Sequence, residues 1–193
     1  MQQPSVPHTV QRRWTRLGVA GIGAHVFYEL VCGVGMPLAS VAGPAPAAVS
    51  WTAGTAYAFR ATGRERKLSG DMAIALLNGL FLSAVLAHFA YWPKRYVTGV
   101  PWLTECEGLR GTVMAPYNMI LYLSGIAALG GLRESGRAGL RGAVVPVVLV
   151  PLLVAIQHYE FKRLRIQALR RPGWWNRRLQ VAAQTDGRQG VAR

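Results

Sequence analysis

LGVAGIGAHVFYELVCGVGM, residues Leu17–Met36, decides how the rest of the chain is read. All twenty residues are apolar or small except His25 and Glu29. At 1.5 Å per residue, a helix of that length matches the roughly 30 Å hydrocarbon core of a bilayer. Glu29 is then expected well inside the apolar layer, with His25 one turn before it on the same face. A carboxylate near a bilayer centre costs about 2.5–3.5 kcal/mol on insertion scales, so it needs a partner, a proton or a task. Gly21 shares the stripe and makes room for a neighbouring helix beside the two polar groups.

Composition extends this reading to the whole chain. Of 193 residues, 51% are hydrophobic and only 16% charged, against ~25% charged in soluble domains. The charges fall in short Arg-rich strips between long charge-poor blocks. The fold class expected is therefore all-α: an integral membrane helical bundle, in the inner membrane of a bacterium. The bacterial assignment rests on the Arg bias (lysine occurs only at 67, 94 and 162) among abundant Ala and Gly. A net charge of +14 first suggests nucleic acid. No basic strip carries a groove-reading or base-stacking module, and each borders an apolar block, where anionic headgroups attract it. Membrane lipids, and a larger membrane complex, are the expected partners; nucleic acid is not.

Four transmembrane helices are expected: Leu17–Met36, the run from Ser69 to Trp92, Pro116–Leu132, and 142–157 with Pro146 and Pro151 kinking or unwinding it. Residues 47–59 span only about 20 Å as a helix and read as a short fifth span or a half-span. Gly43-Pro44-Ala45-Pro46 reads as a break before them. Counting Lys and Arg favours four crossings with both termini cytoplasmic. Residues 161–179 read as a basic amphipathic surface helix, with Lys162, Arg163, Arg165, Arg170 and Arg171 on headgroups and Trp174 and Trp175 as an aromatic anchor. Residues 1–16 and 180–193 read as disordered tails, and 93–115 as a long polar connection.

His25 and Glu29 are the candidate catalytic pair, because burial draws an imidazole and a carboxyl toward neutral pKa values. Glu105, Glu107, His88, Asn118, Tyr122 and Asn78 are candidate pocket residues. His25, Glu29, His88 and one of the two loop acids could in principle suit iron or zinc. No HxxxH, HExxH or ExxH spacing fixes a ligand set, so no metal and no cofactor is assigned. Cys32 and Cys106 form no CxxC or zinc-type pattern. GxSxG, GxxxxGK[ST] and GxGxxG are absent, which argues against common serine hydrolases and nucleotide-driven pumps. The expected function is lipid binding or an accessory, scaffolding role. The alternatives are a membrane-embedded acid–base enzyme on an isoprenoid- or steroid-like substrate and a proton-coupled transporter.

Overall fold

The computed structural model describes residues 12–63 and 69–181. Most of both expected disordered tails, and the basic strip at Arg64–Lys67, lie outside the described residues.

Helix α1 runs Arg13–Cys32. Gly33 stops it in the left-handed region at φ +81°, and the Val34 amide reaches back to the Glu29 carbonyl at 3.2 Å, the six-to-one bond of a Schellman cap. The helix is thus shifted one turn toward the N-terminus of the expected span. Arg13 and Arg16 are helical, and Glu29 stands in the last turn instead of mid-span. After the single turn of α2 (Ala39–Ala42), α3 spans Pro44–Ala61. Its prolines occupy the first turn, where no helical amide is lost, so they start the helix and do not break it. At 18 residues it is about 27 Å long. It returns alongside α1, so that the Arg16 guanidinium sits over the Phe59 ring 4.1 Å from its centre. The half-span expected at 47–59 is replaced by a helix that runs the length of α1.

Helix α4 (Ser69–Tyr91) runs parallel to α1. Arg12 pairs with Asp71, and Asn78 Nδ2 donates to Thr15 Oγ1 at 3.0 Å. Helix α5 (Met114–Glu134) runs antiparallel to α1, its Glu134 carboxylate accepting the Trp14 amide at 2.9 Å. Helix α6 is unbroken over Arg137–Arg170, 34 residues with Pro146 and Pro151 inside it. The expected unwinding does not occur, and the basic stretch continues the same helix in place of a separate surface one. Glycines allow α4 and α6 to touch: a Cβ at Gly79 would overlap the Gly142 carbonyl, and one at Gly142 the Ala75 carbonyl. Helices α1, α4 and α6 point one way and α3 and α5 the other. Arg13 and Arg170 therefore lie at opposite ends of the bundle.

Three helices, Asp71–Tyr91, Gly111–Glu134 and Arg137–Arg170, are long and apolar enough to cross a membrane. Helix α1 is not among them. Helix α6 leaves a continuous apolar face uncovered, including Val144, Val147, Val148 and Leu152.

Residues 93–115, expected as a long polar connection, contain two β-hairpins. β1 (Lys94–Val97) pairs with β2 (Val100–Leu103), and β3 (Glu105–Cys106) with β4 (Leu109–Arg110). Each has a two-residue turn with both φ positive, Thr98-Gly99 and Glu107-Gly108, the twist that tight hairpins favour. Asn118 ties the first hairpin to α5: its Oδ1 accepts the Leu103 amide at 2.9 Å, and its Nδ2 donates to the Leu103 and Met114 carbonyls. Beyond α6 the chain folds back over the same end of the bundle. Arg178 Nε donates to the Cys32 carbonyl at 2.9 Å, and the Gly35 amide to the Trp175 carbonyl at 2.8 Å. Leu179 is fully buried.

Candidate functional site

The last turn of α1, the far end of α4, the start of α5 and the second hairpin meet around Glu29. One turn of α1 separates His25 and Glu29 and puts them side by side, with Nε2 and Oε1 2.8 Å apart. Parallel packing brings His88 of α4 to the same level, its Nε2 4.0 Å from Glu29 Oε1. Antiparallel packing of α5 delivers Tyr117, whose hydroxyl donates to Glu29 Oε1 at 2.7 Å and lies 3.0 Å from His25 Nε2. Gly21 permits this approach, since a Cβ there would overlap Ser124 Oγ on α5. Glu29 is 1% exposed and Tyr117 fully buried.

The network continues outward. Cys106 Sγ lies 3.4 Å from the Tyr117 hydroxyl. With that hydroxyl donating to Glu29, the thiol donates to Tyr117. Burial, then the nearby Glu107 and Glu29 charges, pushes the Cys106 thiol up, which keeps its proton in place. On α4, His88 Nδ1 faces the Ala84 carbonyl at 2.6 Å. That bond fixes Nδ1 as the protonated nitrogen and leaves Nε2 free to accept. The Gln157 amide nitrogen of α6 lies 3.2 Å from His88 Nε2, while its Oε1 is buried with no donor.

A cavity of about 390 Å³ opens beside this network, between α1, α3, α4 and α6. Its long wall is apolar, from Val19, Ile22, Leu77, Phe81, Leu153 and Ile156. One end is polar, formed by His25, His88, Gln157, Glu160 and Glu107. Glu107 reaches it from the turn of the second hairpin, with φ +49°, an uncommon setting for a residue that is not glycine. Burial, then the charges of Glu29 and Glu160, holds the Glu107 carboxyl well above the usual carboxylate range. Glu160 is itself anchored by the Ser40 amide at 3.2 Å.

Of the residues singled out in the sequence, His25, Glu29, His88 and Glu107 come together. Glu105 points away and pairs with Arg110. Asn118 binds backbone, as described. Tyr122 donates to the Pro101 carbonyl and stacks on Trp102. Asn78 lies toward the opposite end of the bundle, on Thr15 and the Ile74 carbonyl. Arg163 donates to the Ser40 carbonyl, its guanidinium also near the Tyr159 ring, and Trp175 packs against the core. Lys162, Arg170, Arg171 and Trp174 are exposed, and Arg165 lies near the Phe161 ring. Tyr117, Cys106, Gln157 and Glu160 were not among the sequence candidates. Gln157 and Glu160 stand three apart on one helix face, a signal that becomes legible once α6 is read as continuous through its prolines. No family model, curated protein or solved structure matches the chain.

Proposed function

We propose that the chain is a five-helix bundle of the inner membrane that holds one hydrophobic molecule bearing a polar group, its apolar body along α4 and α6 and its polar group at the His88–Gln157–Glu160–Glu107 end. The observation that carries this reading is the one-sided polarity of the cavity. Ligand sites are concave, mostly apolar and furnished with a few convergent polar groups, at about 300–1,000 Å³, and this cavity has each of those properties. The uncovered apolar face of α6 supports placement in lipid, as does the segregation of charge into strips.

Gly54 provides the test. It lies on the α3 side of the cavity, and a Cβ there meets nothing within 4 Å. Gly54→Trp is expected to fill the cavity without disturbing the backbone. Wild type purified from membranes should carry one apolar species, near one per chain, that solvent extraction and mass spectrometry show to be missing from Gly54→Trp. Identical extracts from the two proteins would overturn the proposal.

A second reading, acid–base chemistry on the bound molecule, is favoured by one observation. Glu107, held toward its neutral form, faces the same cavity as His25 and His88. A carboxylic acid and an imidazole sharing one apolar pocket are the pair that proton transfer to and from a substrate requires. Glu107→Gln would then retain the extracted molecule in a changed form, and an unaltered species would exclude this second reading.

A further inference from the structure

The polar end of the cavity is short of positive charge. Glu107 and Glu160 line it, Glu29 adjoins it through His25 and His88, and among the described residues no lysine or arginine forms an ion pair with Glu29. Glu29 also sits in the last turn of α1, where the helix presents its negative pole, so the dipole disfavours an anion. A buried carboxylate in that position needs a proton or a cation. Around it, His25, Glu29 and His88 each offer one ligand atom, all three within 4.8 Å of one another. Zinc bonds of 2.0–2.1 Å at tetrahedral angles require donor separations of about 3.3 Å. The two separations to Glu29 Oε1, 2.8 and 4.0 Å, bracket that value, and the two imidazoles come within 4.8 Å.

We propose that His25, Glu29 and His88 bind a first-row divalent cation, with Zn²⁺ as the reference ion and an open coordination position turned toward the cavity. The outer contacts fit a metal site. His88 presents Nε2 because its Nδ1 is held by the Ala84 carbonyl, the arrangement in which a backbone acceptor orients a ligating imidazole. Tyr117 hydrogen-bonds the carboxylate without lining the cavity. Gln157 Oε1, buried without a donor, stands next to His88 and can accept from a water on the ion. Two imidazoles and one carboxylate suit zinc or iron(II) and leave a position free. They do not suit Mg²⁺ or Ca²⁺, which take oxygen ligands. This inference does not depend on the hydrophobic molecule.

The experiment uses the full chain without an affinity tag, purified in detergent, stripped with chelator and titrated with Co²⁺ and Zn²⁺. Expected are one ion per chain and visible d–d absorption of low-coordinate Co²⁺ that Zn²⁺ bleaches and Mg²⁺ does not. His88→Ala and Glu29→Gln should each weaken binding by more than the roughly 10- to 100-fold that outer-shell partners are worth. His158→Ala, away from the site against Tyr91, should leave it unchanged. Failure of helical wild type to bind Co²⁺ saturably overturns the proposal, whatever the variants do. So does saturable binding that survives both His88→Ala and Glu29→Gln. Gly54→Trp separates the two readings: it should lose the extracted molecule and keep the metal.

Discussion

Tyr117, at the start of α5, donates its hydroxyl to Glu29 Oε1 at 2.7 Å across the interface with the last turn of α1. The same hydroxyl links Cys106 to the carboxylate. Tyr117→Phe keeps the ring and removes both bonds. A hydrogen bond to a charged acceptor contributes about 1.5–3 kcal/mol, so Tyr117→Phe should lower the unfolding free energy in detergent by that amount. Tyr28→Phe is the control. It removes a neutral bond to the Val113 carbonyl and should cost only about 0.5–1.5 kcal/mol. Equal losses in the two variants would contradict the placement of Glu29.

Gly21 sets the distance over which Tyr117 acts. A side chain there meets Ser124 of α5, including its backbone at 3.3 Å, and the helices must part. Gly21→Val should destabilise the bundle by about 1–3 kcal/mol, the usual cost of overpacking. Gly54→Ala, which meets open space, should be neutral or stabilising by up to about 1 kcal/mol, because alanine is the better helix former. Thermal unfolding of the two variants in parallel checks the contrast.

How far all this could be read from the residues depends on range. Helix positions in the apolar blocks were legible because hydrophobic runs need no partner to be seen. So was the His25/Glu29 stripe, four apart on one helix. Helix ends were less so. Gly33 rather than Pro37 stops α1, and Pro44 and Pro46 start α3, because a proline costs nothing in a first turn. Those two ends move Glu29 by a turn and lengthen α3 to Pro44–Ala61. The hairpins hid behind Thr98 and Glu107, residues that rarely take positive φ. Tyr117, Cys106 and Gln157 belong to the site only through packing between elements far apart in sequence from Glu29, and one sequence carries no signal for that.

The segment after α6 illustrates the same limit. Its basic and aromatic residues read as a membrane-surface helix, yet Leu179 is fully buried and packs at Gly108 of the second hairpin, while Trp174 is 60% exposed. Leu179→Ala should cost about 2–5 kcal/mol, as for other buried leucines, and loosen the hairpin that carries Glu107. Trp174→Ala should stay within about 0.5 kcal/mol. A surface-anchor role would give the opposite order in vesicle binding, with Trp174→Ala the weaker binder and Leu179→Ala unaffected.

Glu107 makes stability depend on pH with a definite sign. Its carboxyl is held well above the usual carboxylate range by burial and by Glu29 and Glu160, so the folded chain favours the protonated form. Below the unfolded pKa, near 4.3 for glutamate, both states are protonated and Glu107 imposes no penalty. As pH rises through the interval up to the raised folded pKa, the unfolded chain ionises while the folded one resists, and stability falls. Glu107→Gln cannot ionise and abolishes this component. The melting temperature of Glu107→Gln should therefore match wild type in acid and exceed it increasingly toward neutral and alkaline pH. Melting curves in detergent across that range read the difference directly. A gap that stays constant with pH would mean that the carboxyl ionises as freely in the fold as in the open chain.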